Sequence, residues 1–174
     1  MHGSAAAARL RHPNIVAIYD EGESDGHAYF SMELVRGLTL AQMTEAGPLQ
    51  PERAARYAAI VAGAVAAAHD AGILHRDLKP ANVIVDERDE PRVTDFGLAK
   101  RLDGEDNTLT QGVLGSPGYM SPEQADPGRG AIGRASDVYS LGALLYHLLT
   151  ARPPFAGASV AATWTQILQN DPVA

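Results

Sequence analysis

The chain of 174 residues has the length of one domain, and its 45% hydrophobic and 20% charged composition is that of an ordinary soluble globular protein. It has no cysteine, which excludes disulfides, thiolate metal sites and a cysteine nucleophile and sets the expectation of a reducing, cytoplasmic compartment. A formal net charge of -7 argues against nucleic-acid binding, which depends on clustered Lys and Arg, and the longest apolar runs fall far short of the roughly 20 residues that span a bilayer.

In chain order, the break His12-Pro13-Asn14 precedes an expected strand over Ile15 to Tyr19, then a turn from Asp20 to Gly26 and a second strand over Ala28 to Leu34. Gly37 marks a bend before a short helix around Leu40 to Ala46. Pro51-Glu52 opens a long helix, with proline at a tolerated first-turn position and an acid at the positive end. Along it Tyr57, Ile60, Val61, Ala64, Val65 and Ala68 fall at helical spacing, and Gly72 closes it. Short strands at Val83 to Val85 and Arg92 to Thr94 flank the charged turn Asp86 to Glu90. The stretch from Leu98 to Gly118 has no sustained period and reads as a long functional loop. Val138, Leu141, Leu145, Leu148 and Leu149 predict a buried helix over Asp137 to Thr150, stopped by Arg152-Pro153-Pro154. A last helix carries Ala161, Trp164, Ile167 and Leu168 on one side.

Two segments carry chemistry: His75-Arg76-Asp77-Leu78-Lys79-Pro80-Ala81-Asn82 and Val93-Thr94-Asp95-Phe96-Gly97. Moving a phosphoryl group to a hydroxyl requires a carboxylate to receive the hydroxyl proton, oxygen ligands for magnesium and positive charge against the phosphates. Taken singly, each Asp or Lys here is an ordinary solvated turn residue; the combination at this spacing is the specific signal. It resembles the eukaryotic-type (Hanks-type) serine/threonine protein kinases over Leu10 to Pro172. The style of Met120-Ser121-Pro122-Glu123-Gln124-Ala125, in an Ala- and Arg-rich chain, is similar to bacterial members.

The resemblance implies an α+β, protein-kinase-like fold: residues 1–35 as a small-lobe remnant and hinge, and residues 36–174 as most of a mainly helical large lobe. It also implies ATP and Mg²⁺ as cofactors and proteins with Ser or Thr acceptors as substrates. Asp77 is then the base, Asn82 and Asp95 the magnesium ligands, and Lys79 the contact to the transferring phosphate. Met32 would stand at the gatekeeper position, backbone groups of Glu33 and Val35 would meet adenine, and Ile84 would floor its pocket. Ile18, His75 and Phe96 would stack between the lobes. Gly115 to Glu123 resembles the stretch that seats the substrate, with Ser116 as a hydroxyl bonded to the catalytic Asp and Lys. Asp137 matches the buried acid that anchors the catalytic loop. Arg76 suggests control by a phosphate on the loop, with Thr108 and Thr110 as acceptors.

Other expected parts are missing from the sequence. No G-x-G-x-x-G precedes Val16, the only lysines are Lys79 and Lys100, and the glutamate that braces a phosphate-binding lysine should fall near Gly3. Glu123 is expected to lack the arginine that pairs with it in the family. The sequence therefore reads as a fragment of a longer frame, truncated at both ends and not expected to suffice for catalysis alone. A non-catalytic binding module of the same fold is the alternative, with a small-molecule phosphotransferase behind it. Oligomeric state is not legible in the sequence.

Overall fold

The computed structural model of the chain describes residues 10–24, 27–96 and 117–172. Among these described residues five strands and five α-helices lie in this order: β1 (Ile18–Ser24), β2 (His27–Met32), β3 (Gly37–Thr39), α1 (Leu40–Met43), α2 (Pro51–Asp70), β4 (Val83–Asp86), β5 (Pro91–Val93), α3 (Pro122–Ala125), α4 (Arg134–Thr150) and α5 (Val160–Gln169). Strands β1 and β2 form an antiparallel pair from Ile18↔Met32 to Ser24↔His27, and β3, β4 and β5 form an antiparallel sheet in that order. The two small sheets and the helices give the α+β protein-kinase fold.

The core lies between α2, α4 and the inner face of the three-stranded sheet. Tyr57, Val61, Ala64, Val65 and Ala68 of α2 meet Leu144 and Leu148 of α4 and Val83, Val85 and Val93 of the sheet. The α2 face matches the spacing read from sequence, since residues three and four apart share a helix face. On β4, Val83 and Val85 point into this core while Ile84 and Asp86 face the other way, as the two-residue period of a strand requires.

Several elements differ from the sequence reading, each for a local reason. The first strand spans Ile18–Ser24, so most of the expected turn over Asp20 to Gly26 is extended chain paired to β2. Asn14 to Val16 instead lies along β5: Val93 N donates to Asn14 O and Val16 N to Val93 O, each at 2.8 Å. Gly37 is the first residue of a strand, not a bend, because a Cβ there would lie 2.0 Å from Val85 O; the close approach of β3 to β4 needs its bare backbone. Helix α1 stops at Met43, where the Thr44 hydroxyl turns back to Leu40 O at 2.9 Å. The last strand is shifted to Pro91–Val93. Four short turns went unread: 3-10 turns at Pro80–Asn82, Pro117–Tyr119 and Pro127–Arg129, and helix α3, each beginning on proline.

The buried face of α4 also differs. The helix begins at Arg134 and buries Ser136, Asp137, Ser140, Ala143, Leu144 and Leu148, whereas Val138 is 62% and Leu149 41% exposed. Small and polar residues hold the inner face near its start because hydrogen bonds are made there, which a search for apolar spacing passes over. On α5, Thr163 and Ile167 are the buried pair and Ala161 is exposed. The α4 result is testable by denaturant titration: Leu144→Ala should lose about 2–5 kcal/mol of stability, and Val138→Ala should stay within about 0.5 kcal/mol of wild type.

Candidate active site

Asp137 sits in the first turn of α4 with 1% of its surface exposed. Its carboxylate accepts from His75 N at 2.9 Å, Arg76 N at 2.8 Å and His69 Nε2 at 2.7 Å. A buried carboxylate is tolerable only with such donors, and here two of them belong to the backbone that leads into Asp77. Arg76 itself takes a positive φ of 68°, a conformation that a residue with a Cβ holds only when its surroundings impose it.

Past this anchor the loop brings three of the expected residues together. Lys79 Nζ donates to Asp77 Oδ2 at 2.7 Å, and Asn82 Nδ2 donates to Asp77 O at 2.8 Å and to Asp77 Oδ2 at 3.1 Å. The 3-10 turn Pro80–Asn82 makes this reach possible by folding Asn82 back over the base. Asp95 follows β5 with a φ of 66°. No side-chain contact among the described residues joins it directly to Asp77 or Asn82; Thr94 links them, its N donating to Asn82 O at 3.0 Å and its hydroxyl lying 3.3 Å from Asp95 Oδ1.

His75 is fully buried behind the loop. Its Nε2 donates to Thr94 O at 3.0 Å and its Nδ1 accepts from Asp77 N at 3.3 Å, which fixes the neutral tautomer. Burial pushes its pKa down in agreement. Its ring lies 4.7 Å from that of Phe96 at an interplanar angle of 57°, so His75 and Phe96 of the expected three meet. Ile15 shares the core cluster with Phe96, while Ile18 heads β1.

The expected adenine-side residues lie beside the same strand. The Thr94 hydroxyl is 3.6 Å from Met32 Sδ, and Glu33 Oε2 accepts from Arg92 Nη2 at 2.7 Å. Arg92 pairs in register with Ile84, so the face of the sheet opposite the core looks toward the hinge. Glu33 N is spent on Ala17 O at 2.8 Å; the Glu33 carbonyl and the Val35 amide pair with no backbone group among the described residues.

The segment Pro117–Ala125, expected to lie on the substrate side, is fastened to α4. Ser140 Oγ donates to Tyr119 O at 2.9 Å, and Ser136 Oγ donates to Glu123 Oε1 at 2.5 Å. Glu123 therefore has a partner, and that hydrogen bond holds its carboxyl below the usual range. His147 bridges Tyr119 and Thr44. The Thr44 hydroxyl spends its proton on a backbone carbonyl, so His147 Nε2 donates to it at 2.9 Å and Nδ1 accepts from Tyr119 OH at 2.9 Å. Burial lowers the pKa of His147 and pushes Tyr119 up to about 12. A shallow crevice with no room for a water molecule lies between this segment and Asp77, lined by Arg76, Asp77, Leu78, Tyr119, Met120 and Gln124. Thr108, Thr110 and Ser116 lie outside the described residues, and the Arg76 guanidinium meets no carboxylate among the described ones.

Sequence reasoning missed His69, Arg92, Gln124 and His147. Each acts on a partner 48 to 103 residues away or on a different element, except that Ser-x-x-Gln at Ser121 to Gln124 advertises a capping box. Among the described residues no cluster of three His, Asp or Glu side chains could hold a metal, and no helix is long and apolar enough to cross a membrane.

The buried imidazoles set a pH dependence. Both His75 and His147 have folded pKa values below the ordinary one of about 6.5, so the unfolded chain binds more protons as pH falls through that value. Their stabilisation is fully present above it and is lost as pH falls toward the folded values. Denaturation midpoints should therefore drop between about pH 7 and pH 5, and His147→Gln should flatten part of that slope. An equal slope in the variant would contradict the neutral bridge.

The model of the family described as "Protein kinase domain" matches residues 4–172. The chain is 45% identical over 167 residues to the serine/threonine-protein kinase PrkC of Bacillus subtilis, covering 95% of this chain and 26% of that protein. It is 43% identical over 175 residues to the serine/threonine-protein kinase PknB of Mycolicibacterium smegmatis, covering 96% of this chain and 28% of that protein. A probable serine/threonine-protein kinase of Corynebacterium efficiens is 43% identical over 173 residues, again with 95% and 26% covered. The chain thus spans about a quarter of the length of the curated relatives it matches. With the match running over nearly every residue and the loop of Asp77, Lys79 and Asn82 folded onto a buried acid, the chain belongs to the protein kinase domain family.

Proposed function

We propose that this chain carries the phosphoryl-transfer site of a serine/threonine protein kinase, acting from ATP and Mg²⁺ on Ser or Thr hydroxyls of protein substrates. The observation that carries the reading is the joint contact of Lys79 and Asn82 with one oxygen of Asp77. That contact holds the carboxylate in one orientation through Oδ2 and leaves Oδ1 to receive a hydroxyl proton. Lys79, held against the base, places a positive charge where the transferred phosphoryl group would pass.

The residues present fit the nucleotide and its cation. Among the described residues Asn82 makes its side-chain contacts through Nδ2, which leaves Oδ1 for a hard cation, and the Asp95 carboxylate receives only the Thr94 hydroxyl. One amide and one carboxylate oxygen, completed by phosphate oxygens and water, is a donor set that Mg²⁺ favours. The Glu33 carbonyl and Val35 amide, which pair with no backbone group among the described residues, suit the edge of adenine, with Met32 and Ile84 supplying apolar walls. When bound, Mg²⁺ and ATP supply the phosphoryl group and offset the charge on its oxygens. A phosphate on Thr108 or Thr110 would find its partner in the Arg76 guanidinium, as in other charge-assisted bidentate pairs.

The test is labelled-phosphate transfer from ATP to a protein substrate by the full-length protein. Asp77→Asn should lower the rate about 10²- to 10⁴-fold with Mg²⁺-ATP affinity nearly unchanged, and Asp95→Asn should weaken that affinity. Chelating Mg²⁺ should abolish transfer. An unaltered rate in Asp77→Asn would refute the assignment, and nucleotide-independent behaviour throughout would favour a non-catalytic binding module.

A further inference from the structure

Gln124 is the residue of the substrate-side segment whose side chain reaches the backbone of the catalytic loop. Its amide is used at both ends. Oε1 accepts from Ser121 N at 3.0 Å, which closes the start of α3, and Nε2 donates to Arg76 O at 2.6 Å. The capping role needs only the oxygen. The nitrogen's contact is a separate one, 48 positions back along the chain.

The carbonyl it holds belongs to the peptide group that joins Arg76 to Asp77. On the other side of that group, among the described residues, Asp77 N has only the 3.3 Å bond to His75 Nδ1, so the short bond comes from Gln124. Arg76, at φ 68°, is thus pinned at both ends: its N by Asp137 at 2.8 Å and its O by Gln124 at 2.6 Å. A left-handed arginine persists only while its surroundings over-determine it, and Gln124 supplies half of that determination. Both pins belong to one frame: Asp137 lies in α4, and Gln124 rides on α3, which Ser136 ties to α4 through Glu123 and which shares a shallow crevice with Asp77.

Resting on the kinase reading above, we propose that Gln124 is a positioning residue: from the segment Pro117–Ala125 it sets the peptide plane before Asp77, so that the base is aligned with the surface proposed to receive the substrate. Displacing the segment withdraws the donor from Arg76 O and lets the base turn. Gln124 touches neither nucleotide-side residues nor the magnesium ligands, so its effect falls on the transfer step and not on ATP binding.

The experiment compares full-length wild type with Gln124→Glu, which keeps the oxygen toward Ser121 but sets a second oxygen against Arg76 O, and with Gln124→Met, which has similar bulk and neither group. Both variants should lower kcat about tenfold or more while KM for ATP changes less than about twofold. By hydrogen exchange, the Asp77 amide should exchange about tenfold faster in both, with α2 amides unchanged. An unchanged kcat, or a fall in kcat matched by weaker ATP binding, would overturn the role. If wild type transfers no phosphate, the kinase reading falls, and the Asp77 amide still decides this inference: equal protection in wild type and variants refutes it. If Gln124→Glu does not fold, Gln124→Met carries the comparison alone.

Discussion

One buried carboxylate fixes the course of the loop that carries Asp77, Lys79 and Asn82. Asp137 takes hydrogen bonds from two successive backbone amides of the catalytic loop and from His69 at the end of α2, in a place from which water is shut out. There the bonds are stronger than they would be at the surface, and losing one leaves a polar group stranded. Arg134 adds a brace across the same junction, donating to His69 O at 2.6 Å. Helices α2 and α4 are the main walls of the core, so the loop inherits their rigidity. The contacts among Asp77, Lys79 and Asn82 then follow from short-range geometry within His75 to Asn82.

The surface ion pairs work differently. Arg53 and Arg56 of α2 close on Asp89 and Glu90 in the turn between β4 and β5, with the Tyr57 hydroxyl donating to Asp89 as well. The Tyr57 and Arg53 hydrogen bonds hold the Asp89 carboxyl below its usual range. Exposed pairs of this kind are each worth about 0–1 kcal/mol, so their role is to fix the hairpin more than to stabilise the fold. That hairpin carries Asn82 at one end and Asp95 at the other. The half-buried Glu33 and Arg92 pair extends the same frame to the hinge, joining the strand before Asp95 to the backbone groups proposed for adenine.

Much of this was legible in the sequence where the signal is local. Helix α2 announced itself by proline, acid and a regular apolar face, and the catalytic loop by its spacing. The face of α4 was misread because its inner side near the loop is Ser136, Asp137 and Ser140, residues buried for their hydrogen bonds and not for their apolar surface. Gly37 was misread because its need for a bare backbone comes from Val85, far along the chain. Gln124, His69 and His147 were invisible for the same reason. Each is a polar residue whose meaning lies in one distant partner, and no periodicity reports that.

The anchoring role of Asp137 can be measured at the two amides it holds. In native-state hydrogen exchange, His75 N and Arg76 N should be protected to nearly the same degree as the core of α2. Asp137→Asn, which sets a donor among three donors, should release both amides while α2 amides keep their relative protection. Equal protection of His75 and Arg76 in the variant would show that the loop is held by something other than this carboxylate.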